Sequence, residues 1–421
     1  MDAVLALRTT DAKEAFARQF PVHVGVDVGK SFHQLVARDS TGARGPAVRI
    51  DATRAGFESA EAALRGRFPL ARPAEMLVGL EFAGHYGATF AQYLTKRGYG
   101  VVTVLPAVTK RTKELEDNSP RKDDSKDAGQ ICKLLGQGLF VGAPVLPDAL
   151  QALRVLTTER QRLAREETGL VNRLHAALDL AWPEFPTAFP RLQKPTPQAL
   201  LHRWPTAESF AHACLSTIQR VVHRASRGHV SAARARALHQ AARESVALHG
   251  ATLVRAREIR RCLARYDVAR AQITEVEGEL GRLVAGIPAA QALLTVPRVS
   301  VVCAATIVAE LGLPASFRHP RQMLKLAGMN LAARSSGTSL HGRPHQTKRG
   351  RPALRRQLFL LAGRWCQRGG PARGRYAALL ARNGGRRASA VCAVARSLVP
   401  PLLRVMQSGA PFDLARWSHW A

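Results

Sequence analysis

The sequence predicts an α/β domain built on a mixed sheet with helices, then a helical coiled-coil middle, then a mainly α C-terminal domain. Three observations carry this. Residues 22–140 alternate short apolar strand patterns with helical ones. Residues 251–287 repeat apolar side chains every seven positions. From 290 onward a second compact unit is dominated by helical patterns. The boundaries expected are 1–147, 148–289 and 290–421, and a chain of 421 residues can bury two or three separate cores.

Within the first domain, 23–28 and 31–38 read as strands joined by a Gly29-Lys30 turn, with 47–51 as a third. A helix follows over 53–66, where Phe57, Ala60, Ala63 and Leu64 share one face. A strand over 76–81, a helix over about 85–97, a strand over 101–105 and helical material from 106 to 135 complete it. The middle opens with a long helix over 148–180, in which Leu156, Leu163 and Leu170 are seven apart. In 251–287, Ile259, Tyr266, Ile273, Leu280 and Ile287 form one seam, and Cys262, Ala269, Val276 and Leu283 its companion. A coiled coil or a long helical hairpin satisfies both seams. The stretch 181–250, rich first in Pro and then in Arg, His and Ala, reads as an irregular insertion followed by basic helix. In the last domain an apolar helix over 300–311 is stopped by Gly312-Leu313-Pro314. A short helix over 320–327, a polar loop over 329–352 and an Arg-rich helix from near Ala353 follow.

Composition narrows the function. Sixty-two Lys and Arg against 31 Asp and Glu give a net charge of +31, spread from end to end. A polyanion is the expected partner, and nucleic acid the first choice among polyanions. A membrane surface is the weaker option, because no stretch of about 18 uncharged apolar residues occurs. The N-terminal stretch has acidic residues and no long apolar core, which argues against a secretory signal. Six scattered cysteines without a C-x-x-C pair argue against a zinc site or a disulfide framework and fit a reducing cytoplasm.

Against that basic background, the acidic positions in apolar patterns stand out. Asp27 sits inside Val24-Gly25-Val26-Asp27-Val28, a run with the look of a covered strand. A carboxylate there costs several kcal/mol unless it is paired, hydrogen-bonded or bound to a metal. Glu81 closes the strand pattern 76–80. Asp124 and Asp127 are three apart at the head of a helical pattern, so they project from one face and repel unless a cation bridges them. Four oxygen donors without Cys or His suit a hard divalent ion, Mg²⁺ before Zn²⁺, with Mn²⁺ a close substitute. Two such ions side by side can grip a phosphodiester and polarise its attacking and leaving oxygens. A solvated strand-end Asp and a helix N-cap with acidic first turn are the structural alternatives. A second group is Ser335-Ser336-Gly337 with the cations Arg334, Arg343, Lys348, Arg349, Arg355 and Arg356 around it. A Ser in a cationic turn can attack phosphate, and the same composition also describes a phosphate-contacting loop without chemistry.

Taken together, these residues resemble the DEDD transposases of the insertion-sequence family numbered one hundred and ten, whose members are guided by a bridge RNA. The resemblance covers roughly 22–140 and 290–370. It rests on the D, E, D, D positions Asp27, Glu81, Asp124 and Asp127, with Asp124-Ser-Lys-Asp127-Ala128 matching D-x-x-D-A. In the C-terminal part it rests on Leu326-Ala-Gly-Met-Asn, Ser336-Gly337 and the Lys348-Arg-Gly to Leu354-Arg-Arg run. Asp123 stands where the family has Thr, and Pro297-Arg298-Val299-Ser300 where it often has Pro-Gly-Ile-Gly. Gly328-Met-Asn-Leu replaces a Gly-Leu-x-Pro. Losing both glycines argues against a phosphate-binding backbone turn at 297–300.

The resemblance implies a RuvC-like, ribonuclease-H-like first domain and a C-terminal transposase domain. It further implies carboxylate-bound Mg²⁺ and Ser336 as nucleophile, with Ser335 adjacent. The implied partners are donor and target DNA, a guide RNA and further copies of the chain, as a dimer or tetramer in the bacterial cytoplasm. Two rivals keep parts of this reading. A Holliday-junction resolvase-like nuclease would use the carboxylates alone, and a non-catalytic nucleic-acid-binding protein would use neither group. An actin-like ATPase is disfavoured, because no second Gly-rich phosphate loop accompanies Gly25-Val-Asp-Val-Gly29.

Overall fold

Alternation along one strand sets the layers of the first compact unit, residues 1–147. The computed structural model describes residues 9–418 except 82–84, 117–123, 143–145, 249, 333–334, 337–339 and 342–344. At 116, 124, 125, 335, 336, 340, 341 and 418 it describes the backbone alone. Strand β1 (Val22–Val28) buries Val22, Val24, Val26 and Val28 on one face. These valines share a core with Phe57, Ala60 and Leu64 of helix Arg54–Arg67 and with Phe90 and Leu94 of helix Ala88–Lys96. Because side chains alternate along a strand, His23, Gly25 and Asp27 belong to the other face.

The sheet runs β3-β2-β1-β4-β5-β6. Strands β2 (Phe32–Asp39) and β3 (Val48–Asp51) continue from β1 in antiparallel hairpins. Strands β4 (Met76–Glu81) and β5 (Gly100–Val104) lie parallel to β1 on its other side. A two-residue β6 (Val141–Gly142) closes the edge antiparallel. Three antiparallel strands, then parallel ones, with helices on both faces, form the RuvC-like, ribonuclease-H-like arrangement expected. Helix Asp124–Gly136 covers the second face, where Leu77, Val102 and Val104 pack with Ile131, Leu134, Leu135 and Phe140. The helical material expected over 106–135 is two helices, Pro106–Glu116 and Asp124–Gly136. Helix Thr10–Ala17, with Ala17 its one buried side chain, and β6 were not expected. Both are too short or too polar to carry a period.

The second compact unit, 148–421, is organised on two helices of 34 residues, Asp148–Ala181 and Thr252–Ala285. They run antiparallel: Arg160 pairs with Glu277 at 2.8 Å, while Arg270 pairs with Glu167 at 3.3 Å and the Cys262 thiol donates to the Leu170 carbonyl. This is a hairpin within one chain. Its buried seam keeps Ile259, Tyr266, Ile273 and Leu280, but Leu263 and Val284 take the places expected for Cys262 and Leu283. Leu263 and Val284 are themselves 21 residues apart, three full heptads, while Ala269 and Val276 stay buried as expected, so the seven-residue repeat persists with its end positions one residue later. The stretch 182–250 corrects the expectation of an irregular insertion. It is a helical module around Trp182, Phe185, Trp204 and Phe210, with ring centroids of 4.5–5.4 Å between neighbours, and the basic helix expected in its second half is present as Leu215–Ser226 and Ala232–Arg243.

At the other end of the hairpin, helix Val301–Leu311 is buried almost throughout, and Arg154 donates to the Ala309 carbonyl at its C-terminal end. The turn before it keeps a glycine-like shape without glycine. Arg298 stands at φ +64°, a left-handed conformation that costs a non-Gly residue about 1–2 kcal/mol. Hydrogen bonds fix it there: its guanidinium reaches the Arg364 carbonyl at 2.9 Å, Arg364 reaches back to the Arg298 carbonyl, and Trp365 donates to Pro297. Ser300 then caps the helix through Cys303. Among the described helices, one, Arg387–Ser408, is long and apolar enough to cross a membrane, and its Ala390, Val394, Leu398 and Leu402 are buried in the bundle.

Two outcomes follow from the first unit. Gly25→Ala would put a Cβ 2.1 Å from the Ala128 carbonyl oxygen and 2.6 Å from the Cys132 nitrogen, both backbone. It should destabilise residues 1–147 by about 2–3 kcal/mol, read as lost hydrogen-exchange protection in β1. His33 is fully buried against Phe57 and Phe90, and burial pushes its imidazole below the ordinary 6.5. The native state therefore binds this proton less readily than the unfolded one. The stabilisation is present above pH 6.5 and lost as pH falls below it. His33→Phe should accordingly flatten the stability profile between about pH 6.5 and 5 in denaturant titrations.

Candidate active site

Two carboxylates meet at the C-terminal ends of the central parallel strands. Asp27 of β1 and Glu81 of β4 are register partners, and both are half-buried. Register partners on parallel strands share a face, with the backbones about 4.8 Å apart. Carboxylates that share a face on neighbouring strands repel when both are charged. A cation held between two such groups relieves that repulsion.

Helix Asp124–Gly136 lies on the same face and runs opposite to β1. Ala128 sits over Gly25, the Cys132 thiol donates to the His23 carbonyl at 3.0 Å, and Gly136 lies against the His23 ring. The helix therefore points its first turn, with Asp127, toward the Asp27–Glu81 end. That close approach needs Gly25, and the Leu135 side chain occupies the space beside Gly79 on β4. The positive end of the helix dipole lies at the same place and favours anions there. Lys113 of helix Pro106–Glu116 pairs with Asp127; that lysine carried no signal in the sequence beyond its charge. Asp124 opens the helix, and its side chain lies outside the described residues.

The arrangement thus gathers Asp27, Glu81 and Asp127 at one end of the sheet. All are oxygen donors, the chemistry of a hard divalent ion. Among the described residues no three Asp, Glu, His or Cys side chains close into a cage. The nearby thiol is no ligand or nucleophile: burial pushes Cys132 up to about 11, so it stays protonated.

The serine region is a hydrogen-bonded stem, where the sequence suggested only a polar loop. Strand β7 (Leu331–Ala332) pairs with β10 (His345–Gln346), and β8 (Ser335–Ser336) with β9 (Leu340–His341). Ser336 stands opposite Leu340, and its side chain, like Arg334 and Arg343, lies outside the described residues. The neck of the stem is tight. Gly350 adopts φ +155°, and a Cβ there would lie 2.3 Å from the Leu326 oxygen and 2.5 Å from the Gly328 nitrogen. The Lys348 amide donates to Gly328, the Arg351 amide to Leu326, and Thr347 bonds Asn330 through backbone and side chain. Lys348, Arg349 and Arg356 present exposed side chains. Arg355 differs from them: its guanidinium donates to the Ala327 carbonyl at 2.9 Å and the Lys348 carbonyl at 3.2 Å. Through that one nitrogen it ties the neck, a task the sequence did not suggest for a residue read there as a nucleic-acid contact.

Comparison with known proteins bears on both regions. A model for the DEDD domain of IS110 elements, described as a transposase, matches residues 24–183. A second, described as the transposase IS116/IS110/IS902 family, matches 290–377. Asp27, Glu81, Asp124 and Asp127 fall in the first match, and Ser336 and its cations in the second. The insertion element IS110 uncharacterized 43.6 kDa protein of Streptomyces coelicolor is 28% identical over 138 residues, 33% of this chain. That match spans 34% of the relative's own length.

The neck yields a direct test. Arg355→Ala should cost about 1.5–3 kcal/mol, the value of hydrogen bonds to a charged group, and speed amide exchange at Lys348 and Arg351. Arg356→Ala should leave both within about 0.5 kcal/mol.

Proposed function

We propose a recombination chemistry for this chain from one premise: it belongs to the IS110 family of transposases. The chain cuts and rejoins DNA strands as the RNA-guided recombinase of an insertion sequence. The observation that supports this best is the register pairing of Asp27 with Glu81, with the Asp127 end of helix Asp124–Gly136 turned toward them. Asp27, Glu81, Asp124 and Asp127 would hold Mg²⁺, or Mn²⁺, as an all-oxygen donor set. When bound, the ions supply Lewis-acid stabilisation of charge building on the phosphate.

Ser336, brought to these acids from a second copy of the chain, is the nucleophile. Its oxygen forms a bond to phosphorus, the phosphorus–oxygen bond to one sugar breaks, and the serine proton passes to the departing sugar oxygen. A serine phosphodiester remains, and a new strand's hydroxyl reverses the step. Arg334, Arg343, Lys348, Arg349 and Arg356 hold the phosphate oxygens and stabilise the extra charge of the transition state. Arg355 acts one step removed, by fixing the stem that carries the serine. The net charge of +31 supports binding of both a guide RNA and DNA, with affinity that falls steeply with salt. Base pairing with the RNA selects the sites, and the protein reads backbone shape. The active unit is a dimer or tetramer working on cytoplasmic DNA.

The test is incubation with flanking DNA, RNA and Mg²⁺, followed by a denaturing gel. The chain should form a covalent protein–DNA adduct that Ser336→Ala abolishes and Ser335→Ala retains. Asp27→Asn and Glu81→Gln should each cut its formation by at least about 100-fold. Continued strand cleavage by Ser336→Ala would replace the proposal with a nuclease that uses the carboxylates alone.

A further inference from the structure

The second compact unit holds a cleft that plays no part in this chemistry. It lies between helix Pro320–Ala327 and the C-terminal half of helix Arg387–Ser408, with 410–417 along one side and a volume of about 820 Å³. That size is in the range of sites for organic ligands. Its walls include Leu324, Phe412, Trp417 and the two prolines 400 and 401. A proline pair inside a helix removes two backbone donors, and here both prolines line the opening.

The rim is cationic. Arg318, Arg321, Arg404 and Arg416 stand around it against a single carboxylate, Asp413, which Arg416 already pairs at 3.3 Å. The guanidinium groups of Arg318, Arg321 and Arg404 are exposed and make no hydrogen bond or ion pair among the described residues. An independent feature points to a ligand as well. Trp417 is 3% exposed, yet its indole N–H has no acceptor among the described residues. Buried indole N–H groups normally have one.

We propose that this cleft binds one or two nucleotides of a single nucleic-acid strand. The base lies on the proline and aromatic walls, its flanking phosphates meet Arg318, Arg321 and Arg404, and a base or phosphate oxygen accepts from Trp417. Flat apolar walls joined to a cationic rim match a base with its phosphate. An acidic peptide would satisfy the rim and leave the walls bare, and a duplex keeps its bases stacked inside. The site is independent of the carboxylates and of Ser336, so loss of the cleavage chemistry would not remove it.

Fluorescence anisotropy on the full chain tests it, with short labelled oligothymidine and oligouridine strands and a duplex as probes. Arg321→Ala/Arg404→Ala removes rim charge, and Ala410→Trp fills the cleft from an exposed position. Each should weaken single-strand binding about tenfold, the scale of one lost base stack, and change duplex binding by less than about threefold. A 4-thiouridine or 4-thiothymidine strand should crosslink within residues 400–417, and whichever strand binds tighter identifies RNA or DNA as the source. Unchanged single-strand affinity in both variants, an equal loss for duplex, or equal competition by polyglutamate would overturn the proposal.

Discussion

The first compact unit depends on one bare patch of backbone. At Gly25 the sheet has no side chain, and the backbone of helix Asp124–Gly136 comes down until the next atom outward would collide with Ala128 and Cys132. At Gly79 the same helix fills the vacancy with Leu135. The Cys132–His23 hydrogen bond and the core under Ile131 and Leu134 hold the helix along the same line. Its direction decides where Asp127 goes, and β1 and β4 decide where Asp27 and Glu81 go. The acids are therefore gathered by van der Waals exclusion two residues away from Asp27, at Gly25.

Much of this was legible in the sequence, for a physical reason in each case. The valines of β1 alternate because one face is buried, and Asp27 stood out as a carboxylate inside that alternation. The close approach at Gly25 and Gly79 went unread, although glycine within a strand can mark one. The pairing of Lys113 with Asp127 was not legible, because it joins two helices whose relative placement no period encodes. The module 182–250 escaped notice because its core is a few clustered aromatic rings and not a repeating stripe. The ladder under Ser336 escaped because strands of two residues have no period at all. Arg355 was legible as a cation, whereas its task depends on two carbonyls that the fold brings to it.

The second unit holds awkward backbone with hydrogen bonds. Arg298 occupies a conformation made for glycine, and its own guanidinium, together with Arg364 and Trp365, keeps it there. Gly350 is threaded against Leu326 and Gly328 where no side chain fits, and Arg355 ties the crossing. In both places an arginine satisfies carbonyls inside the protein instead of phosphates outside it. A count of positive charge therefore overstates the surface available to nucleic acid. The exposed cations Lys348, Arg349 and Arg356 of the stem and Arg318, Arg321 and Arg404 of the C-terminal cleft are among those whose charge is open to it.

The paired long helices also set a length. A 34-residue helix rises about 51 Å at 1.5 Å per residue, and the aromatic module sits at one end with the buried helix Val301–Leu311 at the other. The seam between the helices resists bending, so the hairpin is a spacer of fixed reach. In units of a double helix rising 3.4 Å per step, that reach is roughly fifteen base pairs. Whatever the outer module grips is thereby registered against the inner bundle at a distance that neither end can alter by itself.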